Sequence, residues 1–183
     1  MKTIHRHALD LASELVATVQ PTDLGRPTPC AGWDLGALLA HMTGQNHGFA
    51  DALRGGTDVA AFRPVPGVTA WPGSVADLLD AVEHPRTDAV LLPEISTERR
   101  FPVPVVLGFQ TLDTAVHAWD VATALGRMWR PDPPLVAVVL EQARLIPAGP
   151  ARTAPGAAFA PVVEVGEADP WVTALALVGR SAT

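Results

Sequence analysis

Lysine is almost missing from this chain. Lys2 is the only one among 13 basic residues, which face 19 acidic ones for a formal net charge of −6. With no basic block and an acidic balance, the surface offers no footprint for nucleic acid. Cysteine is down to one, Cys30, so an internal disulfide is impossible and a reducing, cytoplasmic setting is expected. No apolar run reaches the roughly 18 residues of a membrane span, and the opening Met1-Lys-Thr-Ile-His-Arg-His-Ala does not read as a signal peptide. A Gly-rich phosphate loop, a G-x-S-x-G elbow and paired CxxC motifs are absent as well, which removes the commonest nucleotide-binding, hydrolase and redox readings.

What is present is apolar. Hydrophobic residues make up 48% and charged residues 17% of the 183, enough for a sizeable core in a single domain over 1–183. Ile4, Ala8, Leu11, Leu15 and Val19 mark a first helix over 3–20. Pro21, Pro27, Pro29, Gly25 and Gly32 then spell an extended connection. Asp34 is placed to cap a second helix to about Arg54, striped by Leu35, Leu38, Leu39, Met42, Phe49 and Leu53 and stopped by Gly55-Gly56. A third helix is expected from Ser74, with Asp77 in a weak capping box, until Pro85. Phe101-Pro-Val-Pro-Val-Val-Leu reads as a short strand demoted by its prolines to an edge or a loop. A fourth helix should run from about Gly108 to Leu125, and a fifth from Asp132-Pro-Pro to about Leu145. Residues 147–161 read as loop, Ala158 to Val165 as a short extended piece, and Asp169-Pro170 as the start of a last helix ending at Gly179. The expected class is an all-α bundle, with its core over about 3–126 and a helical and extended appendage over about 127–183.

The chemistry concentrates on the fourth helix. At about 100° per residue, Leu112, Ala115, Val116, Trp119 and Ala122 form an apolar stripe, and Asp113, His117 and Asp120 gather on its flank within roughly 60°. A carboxylate and an imidazole four residues apart stand one helical turn apart on one face. With His41 of the second helix they would form a two-His, one-carboxylate set that leaves open positions on a divalent ion. Spacing alone also fits an Asp–His ion pair worth a few tenths of a kcal/mol. His47 lies about 120° around the helix from His41 and does not suit the same ion. His5, His7 and His84 read as surface residues, and Cys30, with no base near it in sequence, as a small buried apolar contact. Arg54, Arg99 and Arg100 are candidates for holding an anionic substrate, without a spacing argument.

Pro27-Thr-Pro-Cys-Ala-Gly-Trp-Asp-Leu-Gly-Ala-Leu-Leu-Ala-His41 and Asp113-Thr-Ala-Val-His-Ala-Trp-Asp-Val-Ala-Thr-Ala-Leu-Gly126 together resemble the DinB-like metal-binding bundles, in the branch of mycothiol-dependent maleylpyruvate isomerase. Ala158-Phe-Ala-Pro-Val-Val-Glu-Val and Leu175-Ala-Leu-Val-Gly-Arg180 resemble that branch's tail. The resemblance implies a DinB-like four-helix bundle with zinc or nickel held by His41, Asp113 and His117. Asp120, on the same stripe, reads either as the partner that orients His117 or as an exposed, helix-supporting carboxylate. It also implies a low-molecular-weight thiol of the mycothiol type as co-substrate. Coordination strips a thiol of its proton at neutral pH, where a free cysteine-like thiol, with a pKa near about 8.5, keeps it. The isomerase carries Glu at the position of Asp113 and has a further C-terminal domain, so maleylpyruvate itself is not implied. Three function classes follow: a metal-dependent thiol transferase or isomerase acting on a small electrophile, a thiol-independent metal enzyme (a Lewis-acid cyclase, lyase or hydrolase), and a metal-binding protein without turnover. Exposed apolar helix faces leave a homodimer open.

Overall fold

The computed structural model describes residues 1–154, 156–166 and 169–182. The chain divides into two compact units, Met1–Trp129 and Arg130–Thr183. In the first, four helices form an all-α bundle: α1 (Lys2–Val16), α2 (Leu35–Leu53), α3 (Trp71–Glu83) and α4 (Val103–Ala124). Helix α1 packs on α4 and α3, and α2 on α3 and α4, so the four close a ring around the core. Among the described residues no helix is long and apolar enough to cross a membrane.

Helix α2 starts where its sequence places it. Asp34 accepts a hydrogen bond from the Ala37 N–H at 2.8 Å, satisfying one of the donors that a helix N-terminus leaves unpaired. Midway along, Gly44 and Gly48 present bare backbone to a 3-10 turn at Val59–Phe62. A Cβ on Gly48 would overlap the Phe62 ring, and one on Gly44 the Arg63 carbonyl. These glycines let Phe62 seat edge-on against Phe49, ring centres 5.7 Å apart.

Three elements differ from the sequence expectation, each for a local reason. The buried side of α1 is carried by His5, Ala8, Leu9, Ala12 and Val16, so the apolar face is turned by about one residue and Ile4, Leu11 and Leu15 lie at its edge. Helix α3 begins at Trp71 rather than Ser74, with Pro72 in its first turn. Asp77 there does not build a capping box; it pairs with Arg54 at 2.8 Å. Helix α4 begins at Val103, with Pro104 in its first turn, where the missing N–H costs nothing and the fixed φ suits the helix. The Phe101 segment is therefore split: Arg100–Pro102 is a strand, β2, antiparallel to β1 (Ala89–Leu91), and the rest is helix. Val90 opposes Phe101 in the register, and both are buried.

The second unit holds α5 (Pro133–Leu145) and α6 (Pro170–Leu177). Asp169 caps α6 through the N–H groups of Trp171 and Val172. Ala158 to Val165 forms no strand, although the Val163 N–H donates to the Ala176 carbonyl at 3.0 Å. Arg152 is buried and donates to the carbonyls of Ile146, Pro147, Ala160 and Leu177. A guanidinium on the last carbonyls of α5 and α6 complements the partial negative charge of those helix ends.

Candidate metal centre

Helices α2 and α4 bring the three expected ligands together. His117 Nε2 stands 3.3 Å from Asp113 Oδ1, and His41 Nε2 stands 4.0 Å from the same oxygen. All three donor atoms lie within 4.8 Å of one another. Ligands about 2.0–2.2 Å from a tetrahedral ion are separated by roughly 3.3–3.6 Å, so one ion fits among these atoms with small side-chain shifts. The site opens to solvent on one side: His41 and Asp113 are 21% and 28% exposed, against 10% for His117.

His117 is fixed from behind. Its Nδ1 lies 2.9 Å from Asp120 Oδ2, and that carboxylate is fully buried. With Nδ1–H donating to Asp120, Nε2 is aimed at Asp113 and His41, where loss of its proton frees a lone pair for an ion, the arrangement that orients metal-binding histidines. Burial would push the Asp113 carboxyl up, but the charge of His117 and hydrogen bonds from His117 and His41 hold it well below the usual carboxylate range. Burial would likewise push His117 down, yet Asp113 first, and then hydrogen bonds with Asp120 and Cys30, raise it well above an ordinary imidazole. The ion-free site thus keeps a proton where two carboxylates and a second imidazole are set to hold a cation.

One loop touches both histidines. Residues 27–34 are closed by a bridge between Pro27 and Asp34. Thr28 Oγ1 ties the loop inside by accepting from the Cys30 N–H and donating to the Trp33 carbonyl. Its Trp33 ring is tilted against His41 with centres 4.7 Å apart, and is 37% exposed. Cys30 turns inward, its thiol 3.1 Å from Asp120 Oδ2 and 3.9 Å from His117 Nδ1. Cys30 is thus the small buried contact its sequence neighbourhood suggests, in the apolar cluster with Leu35, Leu38 and Val121, but its thiol also meets polar groups. Its polar partners come from 87 and 90 residues away, beyond the reach of any local pattern.

The remaining candidates stand apart from the centre. His47 pairs with Asp77 at 3.4 Å and His84 with Asp80 at 3.2 Å. His84 is exposed and His7 half-buried, but His5 is fully buried, contrary to the surface reading. Arg54 is engaged by Asp77 and Asp80. Arg99 lies over the Phe101 ring, and Arg100 donates to the Ala89 carbonyl.

A four-helix bundle carrying two histidines and a carboxylate across one helix pair defines a class of candidate metal-binding proteins. The profile of the mycothiol maleylpyruvate isomerase N-terminal domain matches residues 5–122, and the chain belongs to that family. Membership points to a mycothiol-related, metal-binding function. The chain is also similar to the uncharacterized protein Rv0738 of Mycobacterium tuberculosis (strain ATCC 25618 / H37Rv), 32% identical over 160 residues that cover 85% of this chain and 84% of that one. The same figures hold for the uncharacterized protein MT0763 of Mycobacterium tuberculosis (strain CDC 1551 / Oshkosh). No solved structure matches the chain.

Proposed function

We propose that this protein is a divalent-metal-dependent enzyme, with zinc or nickel as its ion, that uses a mycothiol-type thiol to conjugate or isomerise a small electrophile. The observation that carries the reading is the convergence of His41 Nε2, Asp113 Oδ1 and His117 Nε2 at a solvent-facing edge of the bundle. A bound divalent ion would supply Lewis acidity, lowering the pKa of a thiol that joins its open side.

The chain's own groups do the rest. His41, Asp113 and His117 hold the ion from two different helices, so its position is set by bundle packing rather than by a loop. Asp120 keeps the His117 proton on Nδ1 and Nε2 free to ligate. Asp113, ionised and the most exposed of the three, borders the open side, where an arriving thiol can lose its proton to solvent. Trp33 presents an indole face beside His41, an apolar wall for the carbon skeleton of an electrophile.

The test is turnover of an α,β-unsaturated carbonyl acceptor by zinc- or nickel-loaded protein, with and without the thiol. Consumption that needs both ion and thiol, and is lost in Asp113→Ala, is expected. Turnover that needs the ion but is indifferent to thiol would replace this reading with a thiol-independent metal enzyme.

A further inference from the structure

His117 has two ends, and the second one meets a donor set of its own. Its Nδ1 lies 2.9 Å from Asp120 Oδ2, while the Cys30 thiol lies 3.1 Å from that oxygen and 3.9 Å from Nδ1. One sulfur, one nitrogen and one oxygen thus converge behind the imidazole, facing away from Asp113 and His41. We propose that Cys30 Sγ, His117 Nδ1 and Asp120 Oδ2 form an inner site for a thiophilic divalent cation.

The spacing suits an ion. Metal–sulfur distances of about 2.3 Å and metal–nitrogen or –oxygen distances of about 2.0–2.2 Å separate neighbouring ligands by roughly 3.3–3.7 Å, about half an ångström from the 2.9, 3.1 and 3.9 Å between these atoms. The charge suits it too: a thiolate and a carboxylate neutralise a dication exactly where burial penalises any net charge. Sulfur selects soft cations. Burial of Cys30, His117 and Asp120 disfavours magnesium and calcium, which keep waters or demand many oxygens. Cys30 lies on the loop of residues 27–34, whereas His117 and Asp120 lie on α4.

The proton count closes. The ion takes the place of the thiol proton and of the His117 Nδ1 proton, both of which leave to solvent, while His117 keeps its proton on Nε2. A protonated Nε2 cannot ligate the outer ion, so inner and outer occupancy oppose each other. A thiophilic ion would thereby draw His117 away from the outer centre. The inner site does not depend on the outer one being catalytic.

Cadmium titration tests it, read by the ultraviolet sulfur-to-cadmium charge-transfer band. Cys30 is the sole cysteine, so the band has one possible source. It should appear at about one equivalent in wild type and in His41→Ala, and be absent in Cys30→Ser. In Asp120→Ala the apparent affinity should fall at least about tenfold; Asp120→Asn serves if that variant fails to fold by circular dichroism. In zinc-loaded protein the band should grow only as zinc leaves. No band in wild type at saturating cadmium overturns the site. Undiminished affinity without the Asp120 carboxylate reduces it to a lone thiol, and zinc retained at full band removes the antagonism. Retention of the band in His41→Ala separates this result from any failure of the outer centre.

Discussion

Two polar clusters lie along the interior of the bundle, and they behave differently. One is the candidate metal centre, where His117, Asp113, Asp120, His41 and Cys30 engage one another at an edge that reaches solvent. The other is sealed. Gln110, one turn before Asp113 on α4, donates to Asn46 Oδ1 at 3.1 Å, and Asn46 donates to Ser74 Oγ at 3.0 Å. His5 joins it from α1, yet both of its ring nitrogens and Gln110 Oε1 lack a hydrogen-bond partner among the described residues. Burial pushes the His5 imidazole down to about 4, against an opposing pull from Gln110. Convergent donors with a way out are what a ligand site needs. Sealed and partly unsatisfied donors cost stability and serve only to fix how the helices meet.

Removing ligands from the open cluster should have the largest effect. In a Cys30→Ser background, His41→Ala and His117→Ala, one on each helix, should each lose the stoichiometric ion, seen by elemental analysis, while the helical circular dichroism persists. The sealed cluster should reveal itself through pH instead. His5 is neutral in the folded chain and charged at acid pH in the unfolded one. Stability should therefore be full above the unfolded pKa near 6.5 and decline as pH falls towards about 4. That shift is worth about 3 kcal/mol. His5→Leu, which removes the unpaired nitrogens at similar volume, should flatten this slope in urea titrations and leave stability at pH 7 unchanged or higher. A slope that survives His5→Leu would assign the acid sensitivity elsewhere.

Smaller changes sharpen the contrast. Asp120→Asn should weaken zinc or nickel binding about 10- to 100-fold, the usual effect of losing the carboxylate behind a ligating histidine, as measured by competition with a chromophoric chelator. Asp34→Ala, which removes the cap of the helix carrying His41, should cost about 1 kcal/mol in denaturant titration. It should leave the His5 pH slope untouched.

The sequence carried the helical class and the α4 half of the centre, because the 3.6-residue period places Asp113, His117 and Asp120 on one flank whatever the tertiary packing. His41 was legible only through the paired motifs, since no local rule says which helix faces which. The polar side of Cys30 is hidden for the same reason: its carboxylate and imidazole partners arrive from α4. The burial of His5 runs against its position near a terminus, where exposure is the usual expectation. Yet His5, Leu9, Ala12 and Val16 stand at i, i+4, i+7 and i+11, one helical face, and all are buried. The early starts of α3 and α4 lay in Pro72 and Pro104, which read as loop and strand breakers but serve as first-turn residues.

The central claim is a cross-helix metal centre, and metal content tests it most directly. Cys30→Ser protein, which lacks the inner sulfur, purified without a histidine tag and incubated with zinc or nickel should carry about one ion per chain, with none once His41→Ala or His117→Ala is added. A folded Cys30→Ser protein that takes up no ion, or an ion retained after both further substitutions, would contradict it.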